Sequence, residues 1–156
     1  MSWEDAISQP VKKKIVVDVF TEWCGWCKKM DKSTFRNPEI VKYVNENYYA
    51  VKFDAEYKND ITFKGKNYKF VKGGRNGYHE LAAEILQGRL SFPTLVFLDE
   101  NHAVIQPIPG FQDSGTFKQI MRFFAEDHFK HTPWPKYTRM YEQALQPVKQ
   151  AAVKQH

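Results

Sequence analysis

The chain has 156 residues and a net charge of +5, with 42% apolar and 26% charged residues. This balance is typical of one folded domain and disfavours a disordered chain. Only two cysteines occur, which excludes a disulfide-dense mini-protein and any four-cysteine zinc or iron–sulfur site. No apolar run is long enough to span a membrane. No signal peptide is recognisable, so the sequence leaves open a cytoplasmic protein or an exported one whose leader has been removed.

In the first half of the chain, apolar patterns alternate between strand and helix. The run at 15–20 is rich in β-branched residues and predicts a strand buried on both faces. Asn37 followed by Pro38 predicts the N-terminus of a helix. The other predictions here are a short helical turn at 3–10, a helix at 28–35 and a second strand at 49–53.

Residues 55–77 differ from the rest of the chain because they contain six basic residues and four glycines. We interpret them as a basic insertion with a small hairpin around Gly65. After it, the pattern predicts a helix at 78–87 capped by Gly88, antiparallel strands at 94–98 and 103–108, a helix from about 113 to 128, and a last helix ended by Pro147. This order predicts one α/β domain over 1–156, with a core at about 11–131 and a C-terminal helical extension at about 132–156.

The two cysteines lie in the motif Trp-Cys-Gly-Trp-Cys-Lys at 23–28, between a predicted strand and a predicted helix. Cys24 is expected at the helix N-terminus, where free backbone N–H groups and the helix dipole stabilise a nucleophilic thiolate. Cys27, one turn later, can attack a mixed disulfide formed by Cys24. The motif therefore predicts a dithiol–disulfide centre, with Trp23, Gly25 and Trp26 as the surface that receives a partner's disulfide.

The cysteine pair has three other interpretations. Attachment of a c-type haem requires His after the second cysteine, where this chain has Lys28. A zinc site needs two further ligands, and no suitably spaced pair of histidines accompanies the motif. An inert pair of thiols is the simplest alternative, but the flanking tryptophans and the strand–helix junction count against it. We expect no metal.

Asp18 is an acid within an otherwise apolar strand, six residues before Cys24. A buried carboxyl group is costly unless it is paired or held neutral by a raised pKa. The even spacing along a strand can place it beneath the cysteines, where it would exchange a proton with Cys27. A core acid without a role is the alternative for Asp18. Lys52 in the neighbouring strand is a candidate ion-pair partner, and an exposed lysine at the end of a strand is the equal alternative for Lys52.

Pro93 stands immediately before the predicted strand at 94–98. A proline is tolerated at the start of a strand, where no ladder donor is needed. If the bond between Phe92 and Pro93 is cis, the backbone groups of Phe92 can bond an extended substrate beside the cysteines. Phe92, Pro93 and Thr94 are therefore candidate substrate-binding residues, and an ordinary strand entry is the alternative.

Together these residues resemble the thioredoxin superfamily over roughly 15–129. The resemblance rests on 17–28, with the buried acid and the cysteine motif, and on the Phe-Pro-Thr-Leu segment at 92–95. Segments 33–40 and 110–117 are similar to the C-terminal thioredoxin-like domain of the membrane thiol–disulfide interchange protein and its small bacterial relatives. The resemblance implies a thioredoxin-like fold with a central mixed sheet flanked by helices. It also implies a location in the periplasm, with the cytoplasm as the alternative.

The function predicted is that of a thiol–disulfide oxidoreductase acting on protein disulfides, as a reductase or electron relay. Its redox-active group is the Cys24–Cys27 disulfide, with no other cofactor, and its partners are protein thiols or disulfides and a redox-partner protein. We expect a monomer. The alternative is a non-catalytic thioredoxin-like binding module that uses the basic aromatic insertion. Nucleic acid is disfavoured because basic loops are common and the pI is only about 9.1; an acidic protein partner fits the insertion better.

Overall fold

The computed structural model describes the backbone of residues 1–154 and the side chains of residues 1–145. Two compact units are present, residues 1–114 and 115–156, and each is described by itself. The first unit contains helices α1 (Trp3–Ile7), α2 (Gly25–Lys32), α3 (Pro38–Asn47) and α4 (Glu80–Ile85), and a 3-10 turn at Thr34–Arg36. Its strands are β1 (Lys14–Phe20), β2 (Tyr48–Asp54), β3 (Ile61–Phe63), β4 (Lys66–Tyr68), β5 (Phe70–Val71), β6 (Tyr78–His79), β7 (Thr94–Leu98) and β8 (Val104–Pro109).

The central sheet has the strand order β2-β1-β7-β8. Strands β1 and β2 are parallel, whereas β7 is antiparallel to both β1 and β8, so the sheet is mixed, as predicted. Strand β1 is buried along almost its whole length because it lies between two strands and is covered on both faces. The register sets Asp18 beside Lys52 on β2 and Leu95 on β7.

A hydrophobic cluster covers one face of this sheet. Val17 and Val19 of β1 are fully buried in it with Val96 of β7, and they pack with Leu81 and Ile85 of α4. Because side chains alternate across a strand, Asp18 projects to the opposite face. The buried acid is therefore separated from this cluster by the sheet itself.

Strand β8 ends the sheet, and two prolines modify its free edge. The Gly110 N–H donates a hydrogen bond to the Pro93 carbonyl, so the backbone N–H of Gly110 faces the preceding strand, β7. Alternation along an antiparallel ladder then directs the backbone nitrogens of Pro107 and Pro109 outward. Since proline has no N–H, this edge lacks two donors that an added strand would need.

The basic insertion forms two small hairpins. Strands β3 and β4 pair across a turn at Lys64 and Gly65, both with positive φ, which confirms the predicted hairpin. Strands β5 and β6 pair as well, so the segment at 78–79 is strand and α4 begins at Glu80. The prediction of a helix at 78–87 was therefore wrong at its start, and the helix ends at Ile85 with Leu86, not Gly88, as its cap. Six basic and two acidic residues give 55–77 a net charge of +4, which is most of the charge of the chain.

Three predicted helix boundaries also differ from the structure. The helix that carries the cysteines runs over Gly25–Lys32 rather than 28–35, because Cys24 itself is its cap. Helix α5 (Ser114–Ala125) ends before His128, which lies in a separate 3-10 turn, His128–Lys130, after the left-handed Asp127. Helix α6 (Trp134–Lys154) continues through Pro147; prolines can kink a long helix without ending it.

In the second unit, aromatic side chains join the helices. The ring of Phe123 on α5 lies 5.2 Å from Trp134 and 5.1 Å from Tyr137 of α6, between ring centroids. The hydroxyl of Thr138 donates a hydrogen bond to Gln119. These contacts account for the extra C-terminal helix as part of a packed pair. Within the part of the chain that the structure describes, no helix is both long and apolar enough to cross a membrane.

Candidate active site

Cys24 and Cys27 form a disulfide at the N-terminus of α2, with their Cα atoms 5.3 Å apart. Cys24 is the N-cap residue, and its Sγ accepts a hydrogen bond from the backbone N–H of Cys27 at 3.1 Å. The residues are 6% and 2% exposed, respectively. The sulfur of Cys24 thus replaces the hydroxyl or carboxylate that usually caps a helix, and it lies where the helix dipole favours negative charge.

Gly25 and Trp26 separate the two cysteines at the start of the helix. A Cβ atom built on Gly25 meets nothing within 4 Å, and its φ is not positive, so neither space nor backbone conformation requires glycine there. Its small size instead leaves the surface beside Cys24 open.

An exposed aromatic rim surrounds the disulfide. Trp23 and Trp26 are 59% and 56% exposed, although both have large apolar side chains. The Trp23 ring packs edge-on against Phe92 at 6.1 Å, and the Trp26 ring lies 5.5 Å from Phe111, between centroids. Exposed rings held in place by other rings can receive an apolar part of a partner protein.

Polar contacts fix the same two tryptophans. The indole N–H of Trp23 donates to Oε2 of Glu56 at 2.9 Å, and Nζ of Lys29 lies 4.7 Å from the Trp26 ring centroid. Glu56 and Lys29 were not predicted. Lys29 follows the motif directly, but Glu56 lies thirty-three positions from Trp23, and no local signal connects them.

The segment before β7 contains a cis peptide bond between Phe92 and Pro93. Its flanking groups are fixed, because the Thr94 hydroxyl donates to the Ser91 carbonyl at 2.8 Å and the Gly110 N–H donates to the Pro93 carbonyl at 2.8 Å. The backbone N–H and C=O of Phe92 make no hydrogen bond with the residues that the structure describes. They are available to an extended chain bound beside Trp23.

Asp18 is the buried member of an electrostatic cluster whose other members, Lys52 and Asp31, are about half exposed. Its side chain is 8% exposed, and Oδ2 accepts a hydrogen bond from Nζ of Lys52 at 3.1 Å. The same Nζ lies 2.9 Å from both carboxylate oxygens of Asp31 on α2. Oδ1 of Asp18 is buried without a partner among the described residues.

Burial raises the pKa of the Asp18 carboxyl group, because desolvation outweighs the attraction of the Lys52 ammonium group. The neighbouring Asp31 carboxylate adds to this upward shift of the pKa. In turn, hydrogen bonds and charge from the two carboxylates raise the pKa of Lys52, against the opposing effect of burial. Asp18 thus carries a proton more readily than an ordinary carboxyl group does.

The structure therefore brings together Trp23, Cys24 and Cys27 at the start of α2 and sets Phe92 against Trp23. It pairs Asp18 with Lys52 on the adjacent strand, so Lys52 is the ion-pair partner rather than an unpaired lysine at the end of a strand. Among the described residues, no group of three or more His, Cys, Asp or Glu side chains has the geometry to hold a metal ion.

A mixed sheet, a Cys-x-x-Cys disulfide at a helix N-terminus and a cis-proline before the next central strand together define a thioredoxin-fold protein. Comparison with protein families agrees: the chain belongs to the family described as thioredoxin-like domain, whose model matches residues 4–125. This confirms the predicted superfamily and fold class.

Sequence relatives include an uncharacterized protein of Caenorhabditis elegans, 30% identical over 130 residues, which cover 80% of this chain and 15% of that protein. Spermatogenesis-associated protein 20 of Mus musculus is 37% identical over 49 residues, covering 31% of this chain and 6% of that protein. The chain thus spans less than a sixth of the length of either relative.

Solved structures show the same fold at low sequence identity. A thioredoxin-fold protein from Helicobacter pylori superposes with a TM-score of 0.63 at 19% identity, over 95% of this chain and 94% of that one. The oxidoreductase DsbH gives a TM-score of 0.56 at 18% identity, over 81% and 83%. A putative disulphide-isomerase from Bacteroides thetaiotaomicron gives 0.53 at 24% identity, over 78% and 87%.

Proposed function

We propose that the protein is a thiol–disulfide oxidoreductase that acts on protein disulfides through Cys24 and Cys27. The observation that carries the proposal is the position of the Cys24 sulfur, which caps α2 and accepts the N–H of Cys27. A group that accepts this hydrogen bond as a disulfide sulfur accepts it more strongly as a thiolate, because the acceptor then carries a full charge. The helix N-terminus adds to the same preference.

In the reducing direction, the Cys24 thiolate attacks one sulfur of a substrate disulfide and releases the other as a thiolate. The resulting mixed disulfide joins Cys24 to the substrate. Cys27 then loses its proton and attacks the Cys24 sulfur, which forms the Cys24–Cys27 disulfide and releases the second substrate thiolate. Two electrons pass from the dithiol to the substrate, and a dithiol of a redox-partner protein must restore them.

The surrounding residues support these steps. Asp18, whose pKa is raised by burial, is the proposed acceptor of the Cys27 proton. The free backbone groups of Phe92 orient the substrate chain, and Pro93 and Thr94 hold this segment in place. Trp23 and Trp26 are the apolar surface on which the partner's disulfide docks, and Gly25 leaves the approach open.

For the wider role, we propose a reductase or electron relay in the periplasm. The support is the resemblance of segments 33–40 and 110–117 to the exported domain of the membrane thiol–disulfide interchange protein. A Cys27→Ser variant expressed in the native host would retain substrates as mixed disulfides on Cys24. Recovery of exported proteins is the expected result, and recovery of cytoplasmic proteins alone would contradict the location.

A non-catalytic binding module is the second candidate, favoured by the charge of the basic insertion. Here Lys58 lies 3.7 Å above the Phe70 ring, and Lys66 lies 5.0 Å from the centroid of Tyr68. The Lys69 ammonium pairs with Asp60 at 2.7 Å. Such a surface suits an acidic protein partner whether or not the cysteines turn over.

Reduction of insulin by dithiothreitol, followed by turbidity, separates the two candidates. We expect the wild-type protein to accelerate the reaction and Cys24→Ser to give the rate of dithiothreitol alone. Because serine is nearly isosteric with cysteine, the variant keeps the fold while it removes the nucleophile. Equal rates for the two proteins would reject the enzymatic function and leave the binding module.

A further inference from the structure

A cavity of about 500 Å³ opens beside the cis-proline segment, within the first unit. Its walls come from the end of α4, the loop that follows it and the edge strand β8. Ser91 and Thr94, which flank the Phe92–Pro93 bond, both line it. The cavity thus borders the segment in which the backbone groups of Phe92 make no hydrogen bond with the described residues.

The lining contains one charged side chain and four neutral polar side chains. Arg89 lines it, and its guanidinium group makes no hydrogen bond or ion pair with the described residues. Gln87, Gln106 and Ser91 line it as well, and their neutral side chains can both donate and accept hydrogen bonds. None of the described residues in the lining is acidic. An unpaired guanidinium group with neutral amides around it is suited to a carboxylate, which it can bind through two parallel N–H bonds.

The edge of β8 limits how a polypeptide can use this cavity. Since Pro107 and Pro109 remove two outward donors, a peptide cannot pair along β8 as a regular added strand. A chain that passes over the cavity can still insert a side chain into it. Its backbone bonds are available instead at Phe92, next to the disulfide motif.

From this geometry we propose that the cavity is a specificity subsite for an acidic side chain of the substrate polypeptide. An Asp or Glu near the reacting cysteine inserts its carboxylate and pairs with Arg89, while the cysteine is presented to Cys24. The inference rests on the proposed function and assigns it a substrate class: disulfides with an acidic residue at a fixed distance in the chain. The subsite acts on substrate affinity, because Arg89 does not take part in the exchange of sulfur atoms.

Short peptides with a single cysteine blocked as a 2-pyridyl disulfide test the proposal, because this leaving group is uncharged. The series carries Glu or Lys at successive positions on either side of the cysteine. Reduced protein is mixed with each peptide, and released pyridine-2-thione gives the second-order rate constant. At one position we expect Glu to react about five- to tenfold faster than Lys, with a preference that declines as salt is added.

Two charge-reversal variants make the test specific. Arg89→Glu is expected to invert the preference at that position in favour of Lys. Arg139→Glu changes the net charge equally at an exposed site on α6, outside the basic insertion, and it is expected to keep the preference for Glu. The proposal is overturned if the wild type shows no preference at any position, or if the two variants behave alike.

Failure of the proposed function gives a different result. In that case the wild-type protein would reduce insulin no faster than Cys24→Ser does, whatever its rates with the activated peptides. Uniform but rapid reaction with all peptides would leave the oxidoreductase intact and reject the subsite alone.

Discussion

Replacement of Asp18 by asparagine tests whether burial or its ion pair controls the charge of this residue. The carboxyl group is nearly buried, one oxygen has no partner among the described residues, and the other meets Lys52. Asparagine preserves the shape and an acceptor for Lys52, but it cannot ionise. The difference in unfolding free energy between variant and wild type therefore reports the cost of the Asp18 charge.

The sign follows from the raised pKa. Because the folded state holds the Asp18 proton more tightly than the unfolded chain, whose pKa is near the ordinary value of 3.8, the neutral carboxyl group is favoured in the fold. This contribution to stability is present at pH values below 3.8 and is lost as the pH rises through the folded pKa. A buried polar atom without a partner costs about 1–3 kcal/mol, so the variant should gain about that much relative to wild type between acid and mildly alkaline pH.

Urea unfolding of both oxidised proteins at about pH 3 and about pH 8, followed by tryptophan fluorescence, measures this gain. The quantity compared is the change, between the two pH values, in the stability difference between variant and wild type. A cost of the amide that does not depend on pH therefore cancels. A constant difference would refute the raised pKa. A relative loss of stability in the variant at higher pH would show that the pair with Lys52 outweighs burial.

Asp31→Asn provides the matched control for the second carboxylate. It removes an exposed charge whose pairing with Lys52 is worth at most about 1 kcal/mol. Because Asp31 adds to the upward shift of the Asp18 pKa, its loss should lower that pKa and flatten the pH dependence of stability.

In the reduction of a substrate disulfide, Asp18→Asn should slow the attack by Cys27 about a hundredfold, so that the mixed disulfide on Cys24 accumulates.

Two further substitutions test the fold around the site. Gly77→Ala places a methyl group 2.5 Å from Phe70 at a φ of +71°, whereas Gly74→Ala meets nothing within 4 Å at a φ of +60°. In urea unfolding, Gly74→Ala should lower the unfolding free energy by about 1–2 kcal/mol, and Gly77→Ala should lower it clearly more. Equal losses would contradict the close contact between Gly77 and Phe70. Thr34→Val removes the hydroxyl that donates to the Gln112 carbonyl at 2.6 Å, and it should lower the unfolding free energy by about 1–3 kcal/mol. Thr34→Ser keeps this hydroxyl and should retain most of the stability. Similar losses in the two variants would show that the hydrogen bond is unimportant.

The central strands were predictable because their signals are local. A β-branched run that must be buried on both faces leaves few alternatives, and β7 was predicted with its observed bounds. The start of α4 was not predictable in this way. Nδ1 of His79 caps the helix by accepting the Leu81 N–H at 3.1 Å, and Nε2 lies 2.9 Å from the Asn59 carbonyl. Histidine is not a preferred cap, and its second bond comes from a distant part of the chain.

The candidate active site shows the same difference between local and long-range signals. The cysteine motif could be recognised from six consecutive residues, since its chemistry depends on one helix end and on spacing within one turn. The charge of Asp18, in contrast, depends on the register between β1 and β2, which sets Lys52 beside it, and on α2, which supplies Asp31 to the same ammonium group. Sequence spacing along β1 specifies the direction of the Asp18 side chain but neither of these partners. The preference of the Cys24 position for negative charge is thus encoded locally, whereas the raised proton affinity of Asp18 arises only when three elements pack together. In the proposed mechanism, substitutions outside the motif would therefore alter the resolving step without changing the cysteines.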